Sequence, residues 1–115
     1  MYTDPKQAYI DTRASSSVSG ASPHRLIALL FDACQEKLSV AKGSMQRGDT
    51  KGKADAIKKA LDIIVRLQAA LDFDKGGQIA TKLDDLYTFC TNRLALANAI
   101  NDVTMIDEVY RVIAE

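Results

Sequence analysis

After Pro23 the chain contains no further proline, and its apolar residues return every three or four positions almost to the end. Proline is the residue that most reliably breaks a helix, and a 3.6-residue apolar period is the signature of a helix with one buried face. In the first segment Ile27, Leu30, Cys34, Leu38, Ala41 and Met45 step by 3, 4, 4, 3 and 4, with Leu26 and Phe31 widening the face. In the second, Ile57, Ala60, Ile64, Leu67 and Leu71 step by 3, 4, 3 and 4, opposite a charged face of Lys58, Lys59, Asp62 and Arg66. In the third, Ile79, Leu83, Leu86, Cys90, Leu94 and Ala97 step by 4, 3, 4, 4 and 3. In the fourth, Val103, Ile106, Tyr110 and Ile113 step by 3, 4 and 3. No stretch alternates with the period of two that a half-buried strand requires.

The starts and stops agree with that division. Ser22-Pro23 pairs an N-cap hydroxyl with a proline at the first helical position, where its missing N–H costs nothing. Gly48 closes the first segment, Asp49-Thr50 opens the second and Asn101-Asp102 opens the fourth. Gly52 weakens the second segment's first turn, by up to about 1 kcal/mol relative to alanine if interior. The stretch LDFDKGGQIA, from Leu71 to Ala80, raises two readings. Glycines opening a helix can cradle a phosphate. A Walker loop, however, needs a preceding strand and a lysine after its second glycine. Here a helix precedes, Lys75 comes before Gly76 and Gly77, and Asp72 and Asp74 repel an anion. Gly76 and Gly77 are therefore expected to form a structural turn. Four amphipathic helices with short connections predict an all-α, antiparallel up-down four-helix bundle over residues 22–115. Residues 1–21, with the run ASSSVSGAS beginning at Ala14, read as a flexible N-terminal arm whose apolar island is Tyr9-Ile10. The apolar pattern is still running at Glu115, so either the fourth helix is short or the C-terminal end is truncated.

The sequence argues against an enzyme and against a cofactor or metal site. His24 is the single histidine and sits in a helix's first turn, unlike the mid-helix histidine of a phosphotransfer bundle. A di-metal bundle needs Glu-x-x-His pairs, and none occurs. Cys34 and Cys90 both lie on apolar stripes, where a thiol packs as a small hydrophobe. Adjacent acids such as Asp84-Asp85 and Asp107-Glu108 read as solvated surface. Fifteen basic residues balance fifteen acidic ones, so no net field draws nucleic acid or an anionic membrane. No apolar run is long enough to insert into a membrane, and MYTDPKQAY lacks the basic and apolar regions of a signal peptide. The expected location is cytosolic, with both thiols reduced.

What remains is a surplus of apolar side chains. The third segment carries Leu83, Leu86, Tyr87, Phe89, Leu94 and Leu96 around an arc wider than one core seam needs. Such an arc leaves a groove for another amphipathic helix. The N-terminal arm, through Tyr9-Ile10, can also cover it, and exchange of that arm between protomers would give a swapped homodimer.

Several motifs carry a family resemblance: MYTDPKQAY, SGASPHRLIALLFDA, Gly48-Asp49, KALDII, LDFDKGGQIATKLDDLYTF, NRLALAN and Glu108-Val109. In this order, from Tyr2 to about Ile113, the chain resembles the flagellar secretion chaperone family, the cytosolic export chaperones of flagellin. The resemblance implies a helical bundle that binds the disordered C-terminal segment of flagellin. It also implies that binding prevents premature polymerisation, with delivery of the client to the membrane protein of the flagellar type III export gate. By the same resemblance Tyr9 is tied to capping and export-gate docking, with Ile10 beside it in the arm; the wide apolar arc of the third segment puts the expected client groove at Ile79, Leu83, Leu86, Tyr87 and Leu94. The chain departs from the family pattern at Lys6-Gln7, where an apolar residue is common, at Gln78 in place of Glu, at Ala33 in place of Gly, and in lacking a basic C-terminal extension. A different class of function would use the same groove: an adaptor or regulatory bundle binding another disordered partner, such as an anti-sigma factor or a co-chaperone.

Overall fold

The computed structural model describes residues 22–114. Among them are four α-helices: α1 (Pro23–Gln46), α2 (Thr50–Ala69), α3 (Phe73–Ile100) and α4 (Val103–Ala114). They form the all-α four-helix bundle that the periodicity predicts, with three-, three- and two-residue connections. The arm expected over residues 1–21, with Tyr9 and Ile10, lies outside the described residues. Residues 22–30 belong to a compact unit separate from residues 31–114. Within that first stretch the Arg25 N–H donates to Ser22 Oγ at 3.2 Å, a capping bond at the start of α1.

The helix ends follow from specific side chains. Gly48 has φ 74°, its N–H donates to the Met45 carbonyl, and the Asp49 N–H reaches back to the Ser44 carbonyl at 2.8 Å. That is a Schellman closure, which glycine permits without a Cβ penalty. Asp49 then caps α2, accepting from the Gly52 N–H at 2.9 Å. Gly52 has a positive reason to be glycine. A Cβ there would run into the Asp49 carboxylate and lie 2.9 Å from Ser44 Oγ, so the cap needs the space. At the far end of α3, Asn101 takes the left-handed position with φ 58°, and the Asp102 N–H donates to the Ala97 carbonyl. Asp102 in turn opens α4, accepting from the Thr104 N–H at 2.9 Å and its hydroxyl at 2.6 Å. Those hydrogen bonds hold its carboxyl below the usual carboxylate range.

The glycine pair falls differently from expectation. The chain turns at Ala70–Asp72, and α3 begins before the glycines, with Asp72 capping through the Lys75 N–H at 3.0 Å. Gly77 then leaves helical geometry, at φ 51° and ψ −122°, and the helix kinks there. This is a backbone region open to glycine and closed to most other residues. Gly76 is constrained from another direction, since a Cβ there would sit 2.8 Å from that of Ala80.

The core from Phe31 onward is built by Cys34, Leu38 and Ala41 of α1, Ile57, Ala60, Ile64 and Leu67 of α2, Cys90, Leu94 and Ala97 of α3, and Ile106, Val109 and Ile113 of α4. Two phases differ from the expected stripes. In α3 the buried positions near its start are Ala80 and Tyr87, while Ile79 and Leu86, one residue earlier in each case, are exposed. In α4 Val109 rather than Tyr110 faces the core. Both shifts reflect the same ambiguity: a spacing of 3 or 4 allows two neighbouring phases when both residues are apolar.

Among the described residues one charged side chain is inside. Lys53 of α2 is 7% exposed, and its ammonium donates to the Asn98 carbonyl at 3.1 Å and to Asn101 Oδ1 at 3.0 Å. A cation is thus fixed against the carbonyl end of α3, where the helix dipole favours it. The sequence held the clue, because Lys53 lies one step of four before Ile57, in phase with the buried stripe.

Candidate functional site

The residues of α3 that do not reach the core make an exposed apolar surface. Ile79 is 71% exposed, Leu86 43%, Phe89 38%, Leu96 42% and Ile100 55%. At about 100° per residue these five fall within an arc of roughly 100°, directly beside the arc that is buried. The neighbouring α4 borders this stripe, because Arg93 of α3 lies 3.9 Å from Glu108 of α4 and α4 packs along α3. On the opposite flank of α3, Gln68 of α2 donates to Asp84 Oδ1 at 3.0 Å and to Thr88 Oγ1 at 3.2 Å. The exposed stripe therefore points away from α2 and toward the α3–α4 seam.

That seam opens into a groove of about 320 Å³ lined by Phe31, Leu83, Leu86, Tyr87, Val112 and Ile113. Phe31 enters from α1, and α4 is tied to α1 as well, by Lys42 and Asp107 at 3.0 Å. The groove thus has three walls: α3, α4 and the start of the α1 segment in this unit. Of the residues expected at a client site, Leu83, Leu86 and Tyr87 line this groove together. Ile79 lies along the exposed stripe rather than in the groove, and Leu94 is wholly buried, behind the stripe, with no surface to offer a partner. Phe31 of α1 and Val112 and Ile113 of α4 were missed by reasoning from sequence, since they lie on other helices than α3 and only the packing brings them to the groove. Gly76 and Gly77 lie outside the groove lining.

The site has little reactive chemistry. Burial pushes the Cys34 thiol up to about 12, with the nearby Cys90 adding to the effect, and burial alone lifts Cys90 to about 11. Both remain protonated near neutral pH and are poor nucleophiles. Burial also raises the Tyr87 phenol, with smaller contributions from the two thiols. Among the described residues no group of three His, Cys, Asp or Glu could hold a metal ion, and no helix is long and apolar enough to cross a membrane. What the arrangement can do is bury apolar side chains of a partner. Fully covering a side chain of the Leu, Ile or Phe class contributes about 1.5–3 kcal/mol, so the half-exposed set holds several kcal/mol in reserve.

Comparison with known proteins agrees with the geometry. A family model described as Flagellar protein FliS matches residues 5–115. The chain is 43% identical over 104 residues to the flagellar secretion chaperone FliS of Salmonella typhimurium, covering 90% of this chain and 77% of that protein. It is 40% identical over 109 residues to the flagellar secretion chaperone FliS of Vibrio cholerae, covering 95% and 80%. It is 41% identical over 107 residues to the flagellar secretion chaperone FliSB of Pseudomonas aeruginosa, covering 93% and 85%.

Proposed function

This chain belongs to the flagellar secretion chaperone family FliS, and on that premise we propose that it is a cytosolic export chaperone for flagellin. The family is one of chaperones and not of enzymes. In this reading the protein binds the disordered C-terminal segment of flagellin, keeps it from polymerising in the cytosol and delivers it to the flagellar type III export gate. Tyr9 and Ile10 are assigned to capping the bundle and docking at the gate.

The observation that carries the reading is the exposed apolar stripe of α3 running into the groove against α4. A disordered tail gains little by folding alone, but it gains apolar burial when it folds on such a surface. The ordering cost of several kcal/mol keeps that complex dissociable despite a large interface. A chaperone that must later release its client needs that balance. Rigid helices present the stripe, and the partner supplies the conformational change.

The test is a calorimetric titration with the C-terminal segment of flagellin, about 40 to 60 residues long, a length able to bury the area typical of coupled folding. Saturable binding with a negative heat-capacity change is expected. No binding to the intact protein would overturn the reading.

A further inference from the structure

The apolar stripe of α3 contains two cations. At about 100° per residue, Lys82 and Arg93 fall near the midline of the arc that carries Ile79, Leu86, Leu96 and Ile100. They are three helical turns apart, roughly 16 Å at 1.5 Å per residue. The carboxylates of α3 lie elsewhere: Asp84 is turned to Gln68 of α2, and Asp85 lies at the margin of the arc. Lys82 is exposed and makes no ion pair among the described residues.

Arg93 is held in place without being fully used. Its guanidinium lies over the Phe89 ring, 5.3 Å from the centroid, which fixes it within the apolar surface. Its Nε is 3.9 Å from Glu108 Oε1, at the outer limit of an ion pair, and among the described residues the guanidinium donates no hydrogen bond. An arginine fork takes a carboxylate through two parallel hydrogen bonds at a much shorter distance. Glu108 is thus a loose occupant of a place that a better-aligned carboxylate can take.

We propose that the client segment seated on this stripe is an amphipathic helix whose docked face carries two carboxylates about 11 residues apart, one meeting Lys82 and one displacing Glu108 from Arg93. The inference rests on the reading of this face as the client surface and adds the chemistry that selects the client. A helix fits because its own three-turn repeat matches the spacing of the two cations. Its apolar positions, at steps of three and four, then meet the apolar rows on either side. An extended strand would cross the same 16 Å in about five residues and would present alternate side chains away from the stripe. The charge pattern also selects against wrong partners, since a basic amphipathic helix would place like charges on Lys82 and Arg93 over an apolar surface.

The experiment is titration of the flagellin C-terminal segment into the intact protein and into Lys82→Gln, Arg93→Gln and Glu108→Gln, at low and at high salt. All three positions retain exposure, and circular dichroism confirms that each variant is folded. Lys82→Gln and Arg93→Gln are each expected to weaken Kd by about 3- to 10-fold and to flatten its salt dependence. Glu108→Gln is expected to tighten it by about 2- to 3-fold, because a competitor has been removed. A purely structural Arg93–Glu108 pair predicts the opposite sign for Glu108→Gln. A second arm reverses both cations, Lys82→Glu with Arg93→Glu, and replaces two client carboxylates 11 residues apart with lysines. Restored binding is expected, and no restoration would overturn the helical register. If the unaltered protein binds no flagellin segment, the client reading itself fails. If it binds equally well in every variant and at every salt concentration, the client reading stands and the charge inference is overturned.

Discussion

Helices α2 and α3 are built on the same apolar period and end up with opposite surfaces. In α2 the stripe of Ala56, Ile57, Ala60, Ile64 and Leu67 is consumed by the core, and the other face is charged, with Val65 its one large exposed apolar side chain. In α3 an equally complete core stripe of Tyr87, Cys90, Leu94 and Ala97 is flanked by a second, exposed apolar row that no helix among the described residues covers. The first helix is finished by folding and the second is not. Apolar side chains in excess of the core's needs are costly for solubility, and a contiguous row of them beside a groove marks a surface meant to be covered.

The largest expected effect separates the two helices most sharply. Ile64→Asp in α2 places an unpaired carboxylate in the core and is expected to cost more than about 4 kcal/mol, leaving little folded protein in a urea titration. Leu86→Asp in α3 is expected to change stability by less than about 1 kcal/mol while abolishing binding of the flagellin segment. Retained affinity in a folded Leu86→Asp protein would move the client surface off α3.

Next in size is the buried contact that joins the two helices. Lys53→Met removes both hydrogen bonds to the carbonyl end of α3 and is expected to cost about 1.5–3 kcal/mol by chemical denaturation, with little effect on client binding. Gly77→Ala forces a side chain into a backbone region that suits glycine and is expected to cost about 1–3 kcal/mol. Because the kink sits just before Ile79, this variant is also expected to weaken client binding. An affinity unchanged beside a lowered stability would mean that the kink does not aim the stripe.

The smallest effect concerns the two thiols. Their folded values, about 12 and 11, are raised from 9.0 by burial. A raised value means that the protonated form is favoured in the folded state. The associated stability is therefore full below about pH 9 and is lost as the pH rises toward 11 and 12. The double variant Cys34→Ala, Cys90→Ala is expected to show a shallower loss of stability between pH 8 and 10.5 than the unaltered protein. An identical slope would mean that the thiols titrate normally.

Much of the fold was legible because it is written in local rules. The N-caps at Ser22, Asp49 and Asp102 and the closure at Gly48 are short-range features with a small set of residue types, and all fall where the sequence implies. The phase of α3 was not legible. Ile79 and Ala80, like Leu86 and Tyr87, are adjacent residues that can each bury, and only packing against the other helices decides between them. For the same reason Leu94, expected at the groove, is core, while Phe31, Val112 and Ile113 line the groove from two other helices. Lys53 escaped notice because a lysine is ordinarily read as surface. Its carbonyl partners become visible only once the end of α3 is in place. The boundary of α3 was misplaced for a different reason: glycines suggest a loop, yet one helical turn fits between the cap at Asp72 and the kink at Gly77.

The most direct test of the contrast between α2 and α3 is residue-resolved amide NMR during titration with the flagellin C-terminal segment. Shifts concentrated on Ile79, Leu83, Leu86, Phe89 and Leu96 of α3 and on Glu108 and Val112 of α4, with Lys58, Lys59, Asp62 and Arg66 of α2 unmoved, are the predicted result. Shifts confined to the charged face of α2, with the α3 stripe silent, would contradict the account.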